Sequence, residues 1–186
     1  MKNNPLPRLD DRPDIQELLL PHCRLRRGEI WIDPISGHKV GCLDAANPDE
    51  VAKLMEGSKA SLAIHDPPYN LVAFKERTID EFTSWCREWV QATLDWMTAD
   101  GSFYVWLGAD QKDGFQPLPD FMIMMRSFPL TTRSFITMRN QRGYGTQKNW
   151  MAVRQELLYY TVGNPVFNVD ASQAPSRELP TNVAMS

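Results

Sequence analysis

Residues 61–70 read Ser-Leu-Ala-Ile-His-Asp-Pro-Pro-Tyr-Asn. The first five form a short apolar run, the pattern of a buried strand. The next five cannot continue it. Two consecutive prolines hold the backbone extended and donate no amide hydrogen, so their carbonyls project as rigid acceptors. Asp66 adds a carboxylate acceptor and Tyr69 a flat aromatic face. In an open α/β sheet, ligands sit beyond the carboxyl ends of the strands, which is where Asp66 falls. Together these groups suit a planar ring bearing an exocyclic amino group: the acceptors take the amino hydrogens while the aromatic ring stacks on the base. The plainer alternative is a proline-rich turn with Asp66 as a local cap.

Outward from this stretch, strand and helix patterns alternate. Upstream, His38–Leu43 reads as a short strand. Asn47 and Pro48 then set a helix start, and Gly57 closes that helix. Downstream, Thr78-Ile-Asp-Glu81 fits a capping box. Phe82, Trp85, Trp89, Ala92 and Trp96 follow at helical spacing, which reads as a core stripe rather than a binding surface. Asp100-Gly101 predicts a turn, Ser102–Leu107 a strand, and Pro117–Phe128 another helix. Arg133–Met138 and Glu156–Thr161 read as two later strands, antiparallel, with Gly143-Tyr-Gly145 as a flexible turn between them. This alternation predicts an α/β layered sheet. Residues 1–28 read as a polar extension with one short helix near Ile15–Leu20, residues 29–168 as the folded domain, and residues 169–186 as an irregular tail.

Composition narrows the class. The chain has 186 residues, 42% apolar and 23% charged, with a formal net charge of −3. That is one domain of ordinary globular make-up. Cys23, Cys42 and Cys86 form no Cys-x-x-Cys pair, which argues against a disulfide framework or a cysteine-rich zinc site. His22, His38 and His65 show no metal-ligand spacing, so no metal is expected. No signal-peptide pattern or membrane-length apolar run is visible, and a soluble cytoplasmic protein is expected. The charge is unevenly spread. From Phe121 to Gln155 there is no acid, and six basic residues give that stretch +6, so the remainder carries −9. Arg139, Arg142, Tyr144, Lys148 and Trp150 within it are expected to form a phosphate-facing strip. A solvated loop whose charges pair elsewhere is the alternative.

The Asp66-Pro67-Pro68-Tyr69 string resembles motif IV of the DNA amino-methyltransferases, which methylate adenine N6 or cytosine N4. The order His38–Asp44, Asn47–Val51, Ser61–Tyr69 is similar to the opening of the permuted bacterial members. The segment Ser134–Asn168 resembles their last two strands with the intervening loop, which forms part of the pocket for the flipped base. The resemblance covers roughly Gly28 to Asn168. It implies a partial S-adenosylmethionine-dependent methyltransferase sheet, Rossmann-like, with helices on its faces. It implies that Asp66, Pro67, Pro68 and Tyr69 are catalytic, and that Asp44 and Asp66 contact S-adenosylmethionine. Leu43 stands where the pattern usually has Gly, and Asp44 also reads as an exposed strand-end carboxylate. By the same resemblance, an aspartate opening the motif implies adenine as the favoured base.

The family holds its donor through an Asp-Pro-Phe-x-Gly-x-Gly-like run, and residues 1–186 contain none. The resemblance places that run after the target-recognition region. Two strands between those ending near Asp44 and Asp66 would be missing with it, leaving an apolar sheet edge unpaired. The expectation is an N-terminal portion of a methyltransferase, inactive alone. DNA is its expected partner, and a second chain, a missing C-terminal half or a homodimer would supply the loop. The main alternative is a non-catalytic DNA-binding or partner-stabilising module. A decayed remnant is a further one. A protein or small-molecule amino-methyltransferase would carry the glycine loop upstream of the motif, and residues 1–60 have no such loop.

Overall fold

The computed structural model describes residues 12–22, 25–68, 77–108, 115–146 and 149–168, with only the backbone course given at 16, 20, 140–146 and 149–153. The chain divides into two compact units, one of Met1–Ser58 with Pro68–Trp96, the other of Lys59–Pro67 with Met97–Ser186.

The first unit begins with helix α1 (Pro13–Leu19), followed by a 3-10 turn at Leu20–His22. A hairpin of β1 (Ile30–Ile32) and β2 (Lys39–Gly41) comes next, antiparallel, with Trp31 opposite Val40. The strand expected at His38–Leu43 is therefore present only over Lys39–Gly41. It belongs to this separate two-stranded sheet and not to the larger one. The reason is local: Gly37 at φ 73 turns the chain back, and the Gly28 and Cys42 amides then bond across the hairpin mouth.

Helix α2 (Pro48–Met55) starts as its sequence requires. Asn47 Oδ1 accepts from the Asp49 and Glu50 amides at 3.0 and 3.3 Å, and Pro48 occupies a position whose missing amide costs nothing. It ends with Glu56 and Gly57 both at positive φ, 46 and 81°. Helix α3 (Ile79–Leu94) carries a complete capping box: the Thr78 hydroxyl accepts from the Glu81 amide, and the Glu81 carboxylate accepts from the Thr78 amide. Its stripe is core, as its spacing predicts, with Phe82, Trp89 and Ala92 buried, and Trp85 half-buried.

The second unit is a four-stranded sheet in the order β3-β4-β6-β5, made of β3 (Ala60–His65), β4 (Met97–Leu107), β5 (Thr131–Thr146) and β6 (Asn149–Val162). β3 and β4 are parallel; β6 runs antiparallel to both β4 and β5. Helix α4 (Leu118–Met125) lies between β4 and β5 in the chain and buries Phe121, Met124 and Met125.

The turn expected at Asp100-Gly101 is not a turn. β4 runs through it, but its partners jump from Ala60–Met97 to Leu62–Ser102, so three extra residues bulge out of β4 at this point. Thr98 Oγ1 donates to the Asp100 carbonyl at 2.9 Å and closes the bulge. The flexible turn expected at Gly143-Tyr-Gly145 is likewise a strand segment. β5 continues to Thr146, and the irregularity survives as register shifts on either side of the Tyr144–Ala152 pair.

Burial along β4 alternates with period two. Phe103, Val105 and Leu107 are fully buried, with Leu158 and Tyr160 beside them in register. The opposite face carries Leu62, Ile64, Tyr104 and Trp106 and is open, with Leu62 and Ile64 exposed by 52% and 62%. Tyr104 and Tyr159 stack there, centroids 4.4 Å apart and planes 4° from parallel. A groove of about 880 Å³ lies over this face, lined also by Val166 and Phe167.

Candidate active site

The carboxyl end of β3 delivers the motif. His65 is the last strand residue. Its ring lies 5.0 Å from that of Phe103, and burial pushes its imidazole down to about 4. It is therefore neutral near pH 7 and adds no charge beside the motif. Asp66 is exposed, Pro67 is buried and Pro68 half-buried. An exposed carboxylate thus stands on a backbone whose conformation is fixed by a buried proline ring. Tyr69, the fourth residue of the expected catalytic set, lies outside the described residues.

The same end of the sheet carries a polar row. Leu107 of β4 is opposite Glu156 of β6, which is opposite Thr137 of β5. Glu156 is only 7% exposed. The Thr137 hydroxyl donates to Glu156 Oε2 at 2.6 Å, and Arg154 Nε lies 3.5 Å from Oε1. Every row before it on this face is apolar or aromatic at β4 and β6.

Asp44 belongs to the other unit. Its amide donates to Glu50 Oε2 at 2.7 Å, its Oδ1 accepts from the Ala46 amide at 3.0 Å, and its side chain is exposed. Glu50 is gripped on its other side by Arg27, which lowers the carboxylate pKa, with the Asp44 amide adding to the effect. Asp44 lines a groove of about 630 Å³ together with Arg27, Asn47, Arg77, Trp85 and Glu88. Arg77 sits 5.0 Å over the Trp85 ring. An exposed carboxylate with two neighbouring hydrogen-bonding groups and an aromatic wall suits the ribose and base of a nucleoside. Among the described residues lining it there is no glycine.

Of the residues expected to face DNA, Arg139 is exposed on β5 and opposite Arg154 of β6. Arg142, Tyr144 and Trp150 lie on the strands, where only the backbone course is given, and Lys148 lies outside the described residues. The structure thus places Asp66, Pro67 and Arg139 in one unit and Asp44 in the other. Among the described residues no cluster of three or more His, Cys, Asp or Glu could hold a metal ion. No described helix is long and apolar enough to cross a membrane.

A mixed sheet ordered β3-β4-β6-β5, with Asp66 and Pro67 at the carboxyl end of its first strand, is of the Rossmann-like kind. Residues 60–185 match the family model N6_N4_Mtase, described as DNA methylase, and the chain belongs to that family, whose methyl donor is S-adenosylmethionine. It is similar to the type II methyltransferase M1.MboII of Moraxella bovis, 27% identical over 143 residues, a match that covers 74% of this chain and 50% of the relative. Among solved structures it is similar to the PvuII DNA methyltransferase (cytosine-N4-specific), with a TM-score of 0.55 and 15% identity over 69% of this chain and 52% of the other. It also matches the M1.HpyAVI–SAM complex, with a TM-score of 0.48 and 14% identity over 71% of this chain and 56% of that one. The chain spans about half the length of these relatives.

Proposed function

We propose that this chain carries the methyl-accepting part of a site-specific DNA amino-methyltransferase, with adenine N6 the favoured target, and that the donor site is completed by further polypeptide. The observation that carries the reading is the exposed Asp66 beside the buried Pro67 at the carboxyl end of β3, in a chain of the DNA methylase family. An amino group conjugated to an aromatic ring is a weak nucleophile. Asp66 and the Pro67 carbonyl accept hydrogen bonds from its two N–H groups, which favours rehybridisation and turns the nitrogen lone pair outward. As the nitrogen takes up the methyl group, one of its protons is released by way of Asp66 to solvent. Bound S-adenosylmethionine supplies the electrophilic methyl group. Orientation and local electrostatics then suffice, with no covalent intermediate on the protein. Pro68 holds the turn rigid, and Tyr69 stacks on the flipped base. Asp44 receives the adenosine end. Arg139, Arg142, Tyr144, Lys148 and Trp150 serve the DNA backbone. The type II name of the Moraxella bovis relative supports a place in restriction-modification.

Two observations support the need for further polypeptide: the open apolar face at Leu62 and Ile64, and relatives about twice this chain's length. A continuation of the same chain, a separate chain and a second copy would each meet that need. Without the glycine-rich segment, donor binding is expected to be weaker by about 10²–10⁴-fold. Calorimetric titration of S-adenosylmethionine into the folded chain is therefore expected to show no micromolar binding. Micromolar binding by a monomer would overturn the half-site reading. In an enzyme reconstituted with the remaining polypeptide, Asp66→Ala is expected to abolish methyl transfer to DNA while leaving DNA binding in place. Retained transfer would remove Asp66 from the chemistry and favour the non-catalytic module.

A further inference from the structure

Residues 131–162 contain five basic side chains and one acid, Glu156. A lone acid in so basic a hairpin would be expected on its surface, shared among the cations. Instead it is buried on the sheet face that carries Val105 and Leu158, accepting from Thr137 and meeting Arg154 through Nε. Arg154 and Glu156 are two apart on β6, and Thr137 and Arg139 are two apart on β5, so each pair shares a face. The registers Thr137–Glu156 and Arg139–Arg154 then make a two-by-two tile, with the polar pair inside and two arginines outside. Like charges directly opposite each other on neighbouring strands are destabilising. One carboxylate beneath them offsets only part of that. The Arg154 contact to Glu156 is made at Nε, 3.5 Å from Oε1, at the near end of the guanidinium. More than half of the Arg154 side chain is exposed.

We propose that Arg139 and Arg154 form a clamp for a phosphate-type oxyanion, and that Glu156, anchored by Thr137, is the positioning residue that aims Arg154 at it. The clamp lies at the same end of the sheet as Asp66, because Leu107 of β4 leads to Glu156 and β4 is parallel to β3. Resting on the reading of DNA as substrate, the oxyanion is a phosphodiester of the bound strand. Two arginines from adjacent strands would fix the height of that phosphate against the sheet, and so the entry of the target nucleotide. Glu156 does not touch the DNA. It removes the freedom of Arg154 to swing, so that less ordering is left to the moment of binding.

The test uses the full 186-residue chain and two probes. Inorganic phosphate is titrated while the Nε–H resonance of Arg154 is followed by NMR. A saturable shift is expected, lost in Arg139→Ala. A labelled duplex of about 20 base pairs is titrated in parallel from about 50 to 200 mM salt. Arg154→Ala and Arg139→Ala are each expected to lower the slope of log affinity against log salt by about 1. Glu156→Gln keeps an acceptor for Thr137 but loses the charge. It is expected to weaken duplex binding about threefold or more, and to add nothing in an Arg154→Ala background. If Glu156 merely neutralises the surface, Glu156→Gln would instead tighten binding, and the proposal fails. A phosphate shift without duplex binding would keep the clamp and refute DNA as its ligand. Duplex binding with unchanged slopes in both arginine variants would keep the DNA reading and refute the clamp. Neither response would refute both. Arg154 and Arg139 are exposed, so their variants report even if Glu156→Gln does not fold.

Discussion

His65 and Asp66 are neighbours in sequence with opposite surroundings, and the difference has a measurable consequence. The imidazole is buried against Phe103 and titrates near about 4, while the adjacent carboxylate is exposed. An unfolded histidine takes up a proton as the pH falls through about 6.5; the folded one does so only near about 4. The contribution of His65 to stability is therefore complete above pH 6.5 and is lost as the pH falls towards 4, by about 2 kcal/mol at pH 5. Urea unfolding of the wild type and His65→Leu at pH 5 and pH 7.5 should show a smaller loss in the variant. Equal losses would mean that the imidazole is solvated. The motif itself was legible from residue types, because prolines and an acid after an apolar run carry their geometry with them. The burial of Glu156 was not. Its one sequence signal, an acid closing a long acid-free stretch, does not say which face of the sheet the side chain takes.

At the scale of elements, local chemistry predicts well wherever the partners are close in sequence. Both the Asn47 cap and the Thr78–Glu81 box form as expected, since each bonds within three residues. Thr78→Ala should cost about 1 kcal/mol, read as a lower urea midpoint, with the loss confined to stability. Elements fixed by distant partners were read less well. Asp100-Gly101 carries strong turn chemistry, yet the ladders to β3 and β6 pull it into β4 and leave a bulge. That bulge is tied to the end of β6. Gly163, at φ 55, approaches the Ala99 carbonyl so closely that no Cβ fits, and the Asn164 amide donates to Asp100 Oδ1 at 2.7 Å. Gly163→Ala therefore meets both a disfavoured backbone angle and a backbone obstruction. It is expected to destabilise the chain by about 2 kcal/mol or more, measurable as a drop in Tm. A neutral Gly163→Ala would show that the strand end relaxes freely. The Gly143-Tyr-Gly145 segment follows the same rule: β6 pairs with it, so a flexible tripeptide becomes strand.

At the scale of the whole molecule, the open face of the sheet is the dominant physical fact. Parallel strands are normally covered on both faces, and here Leu62 and Ile64 of β3 are more than half exposed beside Tyr104 and Trp106. Such a surface favours association. An Ile64→Lys variant should reduce concentration-dependent light scattering of the chain while shifting Tm little, because the side chain it replaces packs against little. Unchanged scattering would mean that the face is already protected. The amino-acid sequence alone determined the α/β class, the strand leading to Asp66, the capped helices and the membership of a DNA-modifying family. The class, the strand and the helices follow from periodicities, caps and rigid dipeptides that act within a few residues, and the family from the resemblance of the Asp66–Tyr69 motif and its surroundings. Only the tertiary structure decided that β1 and β2 form a separate hairpin, that β4 absorbs a turn, and that Glu156 lies buried under paired arginines. These depend on which strands become neighbours and in what register, and a one-residue change in register moves every side chain to the other face.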